Sequence, residues 1–219
     1  YIHFALLDRA TKNGYTDEVK KLYELSLSQL ARMQVEADKL MDYSYCFAAK
    51  QFDKQAVLAD LNYFKYYFLK LAKVSFNEEE LENDFQTFCD FLLQADCNYF
   101  LYRDFQSRNI LLVDSEPYFI DFQGGRKGAL QYDIASLLYD AKADIPQHLR
   151  DEFLDEYIRQ VNQYIRINEK SFREFYWGYV LIRIMQAMGS YGFRGLYEKK
   201  EHFRNSIPYA VANLRFILN

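Results

Sequence analysis

Within residues 100–125, FLYRDFQSRNILLVDSEPYFIDFQGG, three carboxylates (Asp104, Asp114, Asp121) and one amide, Asn109, are of types that do chemistry. A carboxylate orients a hydroxyl and accepts its proton, while carboxylate and amide oxygens suit a hard cation such as Mg²⁺. Phosphoryl transfer needs both at one point on a rigid support, because its catalysis is mainly positioning plus charge neutralisation. Spacing alone is a poor guide. Asp8 and Asn13 repeat the Asp-x-x-x-x-Asn spacing of Asp104 and Asn109, but without an Arg before the Asp, a strand after the Asn, or a following Asp-Phe. The competing reading of 100–125 is a plain structural hairpin with incidental acids.

Chemistry at this stretch requires a fold that joins its ends. Residues 109–113 read as a short buried strand, Asp114-Ser115-Glu116-Pro117 as a turn and residues 118–120 as the return strand. Such a hairpin places Asn109 and Asp121 at one end, where they can share a cation, with Asp104 in the loop before it. Asp114 falls in the far turn as a turn former. Gly124, Gly125 and Gly128 make the loop that follows.

The rest of the chain reads as helix, so the expected fold class is α+β and mainly α-helical. Thr16-Asp17-Glu18 opens a helix with Leu22, Leu25, Leu30 and Met33 on one face. Residues 53–72 carry Val57, Leu61, Phe64 and Phe68 at helical spacing; Asn77 with Glu80 resembles a capping box before Leu81, Phe85, Phe88 and Leu92. Helical patterning resumes at Ala129 and over 147–166, 171–188 and 197–218, with a glycine-containing loop from 189 to 195. No repeat, low-complexity tract or interdomain linker is evident, and residues 1–219 read as one domain.

Tyr102-Arg103-Asp104, Asn109 and Asp121-Phe122 follow the H-R-D-x-x-x-x-N and D-F-G order of protein-kinase-like enzymes. The segments YRDFQSRNILL, YFIDFQGG and GALQYDIASLL resemble the aminoglycoside phosphotransferase/choline kinase superfamily, which shares that fold. Gln123 in place of Gly, residues 60–64 and residues 186–194 are similar to the bacterial anomeric kinases of N-acetylmuramate and N-acetylglucosamine. The resemblance covers nearly the whole chain, but only the C-terminal lobe of such an enzyme. It implies transfer of the γ-phosphoryl group of ATP, with Mg²⁺, to a sugar hydroxyl, including the anomeric one of an amino sugar. An aminoglycoside or choline-like alcohol is the alternative acceptor, and a non-catalytic kinase-like module is the competing class.

By the same resemblance Asp104 is the base, Asn109 and Asp121 are the Mg²⁺ ligands, and Arg103 and Asp133 support the catalytic loop. Tyr102 stands where the family has His. The chain has no Gly-x-Gly-x-x-Gly, and nothing before Tyr99 reads as a five-stranded lobe. The N-terminal β lobe with its phosphate clamp is therefore expected to be absent, with residues 1–7 following the interlobe hinge. Alone, the segment is expected to bind ATP weakly.

Other residues carry two readings each. Arg108 reaches a phosphate or substrate carboxylate, or is a surface arginine. Gln123 bonds a sugar hydroxyl, or fixes its loop. Asp60 and Asn62, on an aromatic helix, are candidates to face the acceptor. Arg126 and Lys127 read as solvated. The cluster of Arg194, Lys199, Lys200, His202 and Arg204 meets an anionic ligand or partner, or is a solvated helix face interleaved with Glu198 and Glu201, the reading the alternation favours. A carboxylate-rich pocket would indicate a cationic acceptor, and a neutral aromatic one a sugar.

The 27 Lys+Arg against 31 Asp+Glu, a net charge of −4, argue against a nucleic-acid partner. No apolar run approaches the ~20 residues of a membrane span. Cys46, Cys89 and Cys97 lack Cys-x-x-Cys spacing and read as free thiols of a reducing cytoplasm. With 20 Tyr and 19 Phe, large rings are expected to fill the core.

Overall fold

The computed structural model describes residues 4–46 and 49–218. Residues 1–3 of the expected post-hinge segment lie outside the described residues. In chain order the elements are β1 (Phe4–Ala5), α1 (Leu6–Asn13), α2 (Asp17–Arg32), α3 (Lys54–Phe64), α4 (Glu78–Leu92), β2 (Tyr99–Leu101), β3 (Ile110–Val113), β4 (Glu116–Phe119), β5 (Arg126–Gly128), α5 (Gln131–Leu138), α6 (Gln147–Val161), α7 (Glu169–Tyr191), α8 (Glu201–Arg204) and α9 (Ile207–Leu218). Three helices run on into wide π-turns: Met33–Ala37 after α2, Lys65–Leu69 after α3 and Gly192–Tyr197 after α7.

Helix starts follow from short polar side chains. Thr16, Asp53, Asn77 and Asn168 each accept the amide three residues on, from Val19, Ala56, Glu80 and Ser171. The buried stripe of α2 (Val19, Leu22, Tyr23, Leu27, Leu30) packs on α6, while α3 and α5 pack on α7. Every residue of α5 is buried, so this short helix is the centre of the core. Rings fill the space as expected: Tyr23 stacks on Phe153 at 5.1 Å, and Phe105 meets Phe119 edge-on at 4.9 Å. The three cysteines are free, and only Cys89 is buried.

Two small antiparallel sheets interrupt the helices. One has the order β1-β3-β4 and the other pairs β2 with β5. The expected hairpin is present, but its turn is shorter than the sequence suggested. Val113 pairs with Glu116 and Leu112 with Pro117, which leaves Asp114 and Ser115 as the two turn residues. Both have positive φ, 50° and 63°, the requirement of a tight type I′ turn. Pro117 is tolerated because β4 is an edge strand.

The glycine loop is also revised. Its last residues form β5, with Tyr99 opposite Gly128 and Leu101 opposite Arg126. Arg126, expected to be solvated, is buried, and its Nε donates to the Gly124 carbonyl at 3.0 Å. Lys127 is half-buried, 3.7 Å from Asp38. Residues 189–195 continue helix and π-turn instead of forming a loop. The expected 197–218 helix divides into α8 and α9, with Pro208 in the first turn of α9. Among the described residues no helix is long and apolar enough to cross a membrane.

Candidate active site

The hairpin brings its working ends together. Nδ2 of Asn109 donates to the Asp104 carbonyl at 2.9 Å and approaches Oδ2 of Asp121 at 3.4 Å. Asn109 sits at the end of a 3₁₀ turn, Ser107–Asn109, and its carbonyl accepts the Ile120 amide at 3.0 Å. The strand that delivers Asp121 is thereby tied to the loop that delivers Asp104. Tyr102 adds a second tie: its hydroxyl donates to the Ile120 carbonyl at 2.7 Å. Gly124 closes the loop over Asp104, where a Cβ would stand 3.1 Å from the Arg103 side chain and 3.7 Å from Oδ2 of Asp104.

Two backbone positions here are costly. Arg103 and Asp121 have φ of 84° and 71°, in the left-handed region that costs a non-glycine residue roughly 1–3 kcal/mol. Asp133 offsets the first. Its carboxylate, fully buried, accepts the Tyr102 amide at 2.7 Å and the Arg103 amide at 2.9 Å. Burial pushes its pKa up to about 7, opposed by those two amides and by the charge of Arg183. Gln34, in the π-turn after α2, holds the same carboxylate from behind: Nε2 donates to Asp133 at 2.9 Å, and its Oε1 accepts the Tyr157 hydroxyl. Nothing in the local sequence marks Gln34, because the π-turn that rotates it inward has no simple pattern.

Arg103 is anchored sideways. Its guanidinium lies 5.1 Å from the ring centres of both Phe52 and Tyr132, and one nitrogen pairs with Asp60 at 2.6 Å. Asp60, which the sequence made a candidate to face the acceptor, is thus buried against Arg103 and does not line the cavity that contains Asp104. Arg108 and Gln123 are exposed beside the centre, and of these two only Arg108 lines the adjoining cavity.

Two hollows flank the centre. A cavity of about 320 Å³ contains Asp104, with Gln106, Arg108, Asp140, Lys142, Gln186, Ser190, Tyr191 and Arg194 around it. Asp140 and Lys142, both from the connection between α5 and α6, were not marked in the sequence, and Arg194 comes from the π-turn after α7. Burial raises the pKa of Asp140, whose Oδ1 accepts the Lys142 amide at 3.2 Å. On the other side a more apolar open cleft of about 600 Å³ is lined by Met33, Met41, Phe100, Tyr102, Phe119 and Phe122.

A helical body around one short hairpin, with Asp104, Asn109 and Asp121 at its open end, is the C-terminal lobe of a protein-kinase-like fold. The phosphotransferase enzyme family (APH) matches over residues 9–174, and the chain belongs to that family. An N-acetylmuramate/N-acetylglucosamine kinase of Neisseria meningitidis serogroup B is 26% identical over 174 residues, 75% of this chain and 51% of that protein. An ethanolamine kinase from Plasmodium vivax superposes with a TM-score of 0.62 at 12% identity, covering 99% of this chain and 62% of the other. The ADP-bound aminoglycoside phosphotransferase APH(2'')-Ib gives 0.52 at 17% identity, covering 98% and 69%. These two likenesses concern the fold. The chain spans about half the length of the curated relative it matches.

Proposed function

We propose that the whole protein transfers the γ-phosphoryl group of ATP to a hydroxyl of a sugar, the anomeric hydroxyl of an amino sugar being the leading acceptor. The observation that carries this is the convergence of Asp104, Asn109 and Asp121 at one end of a two-residue hairpin. Asp104 lines the cavity, and in this reading it orients an acceptor hydroxyl and takes its proton.

The donor set fits Mg²⁺. Asn109 engages its Nδ2 with the protein, which leaves its amide oxygen and the Asp121 carboxylate as hard oxygen ligands. No group of three or more acidic, His or Cys side chains suited to a metal occurs among the described residues. A cation here would complete its shell with phosphate oxygens and water, as Mg²⁺ at nucleotide sites does. When bound, it would neutralise phosphate charge during transfer.

The cleft beside Phe122 offers an apolar seat for a nucleotide base. A lobe outside these 219 residues would clamp the phosphates, which the exposed Tyr118, Ile120 and Phe122 around the hairpin support. The cavity beside Asp104 is neither carboxylate-rich nor neutral and aromatic. Its amides and hydroxyls (Gln106, Gln186, Ser190, Tyr191) suit a polyhydroxylated acceptor, and its cations disfavour a cationic alcohol.

The test is ADP release by the full-length protein with Mg·ATP and a panel of N-acetylated amino sugars, neutral sugars, aminoglycosides and choline. Acceptor-dependent turnover with an amino sugar is expected. Turnover with aminoglycoside or choline alone, or with nothing in the panel, contradicts the reading.

A further inference from the structure

A third cavity, of about 310 Å³, lies apart from the catalytic centre, and none of its lining residues lines either hollow beside the hairpin. It forms where the starts of α5 and α7 meet the chain leaving α4 and the first residue of β2. Leu130, Phe172 and Phe175 make part of its wall apolar. Gln131, also in the wall, is 5% exposed, and its side-chain amide has no hydrogen-bond partner among the described residues. A buried amide left unpaired is costly, and a polar guest in the cavity would satisfy it.

The lining carries one charge of each sign. Arg166 lies two residues before Asn168, the N-cap of α7, where the helix dipole also favours a negative group. Asp96 belongs to the loop after α4. Its carboxylate accepts the Asn98 amide at 3.1 Å and the Tyr99 hydroxyl at 2.9 Å, which fixes it in the wall. Glu169, in the first turn of α7, is not in the lining and pairs with Arg173. A guest bearing only one charge meets a like charge in this wall, whereas a guest bearing both signs complements it.

The cavity also shares a wall with the support of the catalytic loop. The Leu130 carbonyl accepts the Tyr157 hydroxyl at 3.3 Å and Nε2 of Gln34 at 3.5 Å, and the same Nε2 holds Asp133 at 2.9 Å. Gln131 is two residues before Asp133 in α5, and Tyr99 is three before Tyr102, whose amide Asp133 accepts.

We propose that this cavity is a second ligand site, for an α-amino acid with an apolar side chain. Arg166 takes its carboxylate, Asp96 its ammonium and the Phe172 and Phe175 wall its side chain, and occupancy tightens the hold of Asp133 on the catalytic loop. The site stands apart from the phosphotransferase reading, and neither depends on the other.

The probes are L-phenylalanine and L-leucine, titrated calorimetrically into the full-length protein. Binding of at least one is expected, and no heat with either at about 10 mM overturns the proposal. Phenylalaninamide, which lacks the carboxylate, and 3-phenylpropionate, which lacks the ammonium, are each expected to bind about tenfold more weakly than phenylalanine. Arg166→Gln is expected to weaken phenylalanine about fivefold or more and to leave phenylalaninamide nearly unchanged. Asp96→Asn is expected to weaken phenylalanine likewise and to leave 3-phenylpropionate nearly unchanged. Affinity unmoved in both variants, or lost in saturating Mg·ATP, overturns the site. Hydrogen exchange reads the coupling. With phenylalanine bound, the backbone of residues 99–104 is expected to exchange about twofold more slowly or better, and that of α9 to change less. No slowing at 99–104, or equal slowing in α9, overturns the coupling.

Discussion

Asp133 shows how one buried carboxylate holds the strained backbone just before Asp104. It takes the successive amides of Tyr102 and Arg103, which lead into the left-handed residue Arg103 just before Asp104. Burial raises its pKa from 3.8 to about 7. The folded protein therefore keeps a proton that the unfolded chain releases between those values. Stability is then expected to fall as pH rises from about 4 to 7, by up to about 1.4 kcal/mol per pH unit for a single group. Denaturant unfolding of the parent and Asp133→Asn across pH 5–8 checks this. The variant should lose that component of the slope, and parallel profiles contradict the assignment. At this scale the grouping of side chains was readable where it is local in sequence. Asp104, Asn109 and Asp121 lie within one short stretch, and Asp133 sits in a motif. Gln34 and Asp140 were not readable, because only tertiary packing brings them to the loop and cavity. Asp60 was misjudged for the same reason. Its helix was evident, but its pairing with Arg103, 43 residues away, was not.

Among the elements, the hairpin was legible because apolar runs flank a turn signal and both strands follow in sequence. Its partner β1 and the β2–β5 pair were not. They are two or three residues long, and β5 contains Arg, Lys and Gly, so its pairing is imposed by the chain around it. The π-turns were missed likewise, and they shape the packing. Gly192 in the π-turn after α7 lies against the π-turn after α3, where a Cβ would overlap the carbonyl oxygen of Tyr67. A sequence reading takes glycines at 189, 192 and 195 as a loop; here at least Gly192 permits two helices to touch backbone to backbone. Gly192→Ala is expected to cost about 3 kcal/mol in chemical denaturation, or to prevent recovery of folded protein. A loss below about 0.5 kcal/mol contradicts so close a contact.

Across the whole molecule, one helical body supports a centre with a polar, cationic hollow on one side and an apolar cleft on the other. The mainly helical fold was legible from caps and periodicity, and the family from its motifs. The two hollows were not, since they depend on which faces of the helices and the hairpin meet. The central claim is that Asp104 is the proton acceptor of phosphoryl transfer, and it must be tested in the full-length protein. The measurement is kcat of Asp104→Asn with Mg·ATP and the preferred acceptor, alongside thermal unfolding of the same sample. A fall in kcat of about 10²–10⁴-fold with an essentially unchanged unfolding temperature is predicted. A well-folded variant that turns over at near the parent rate would contradict the account.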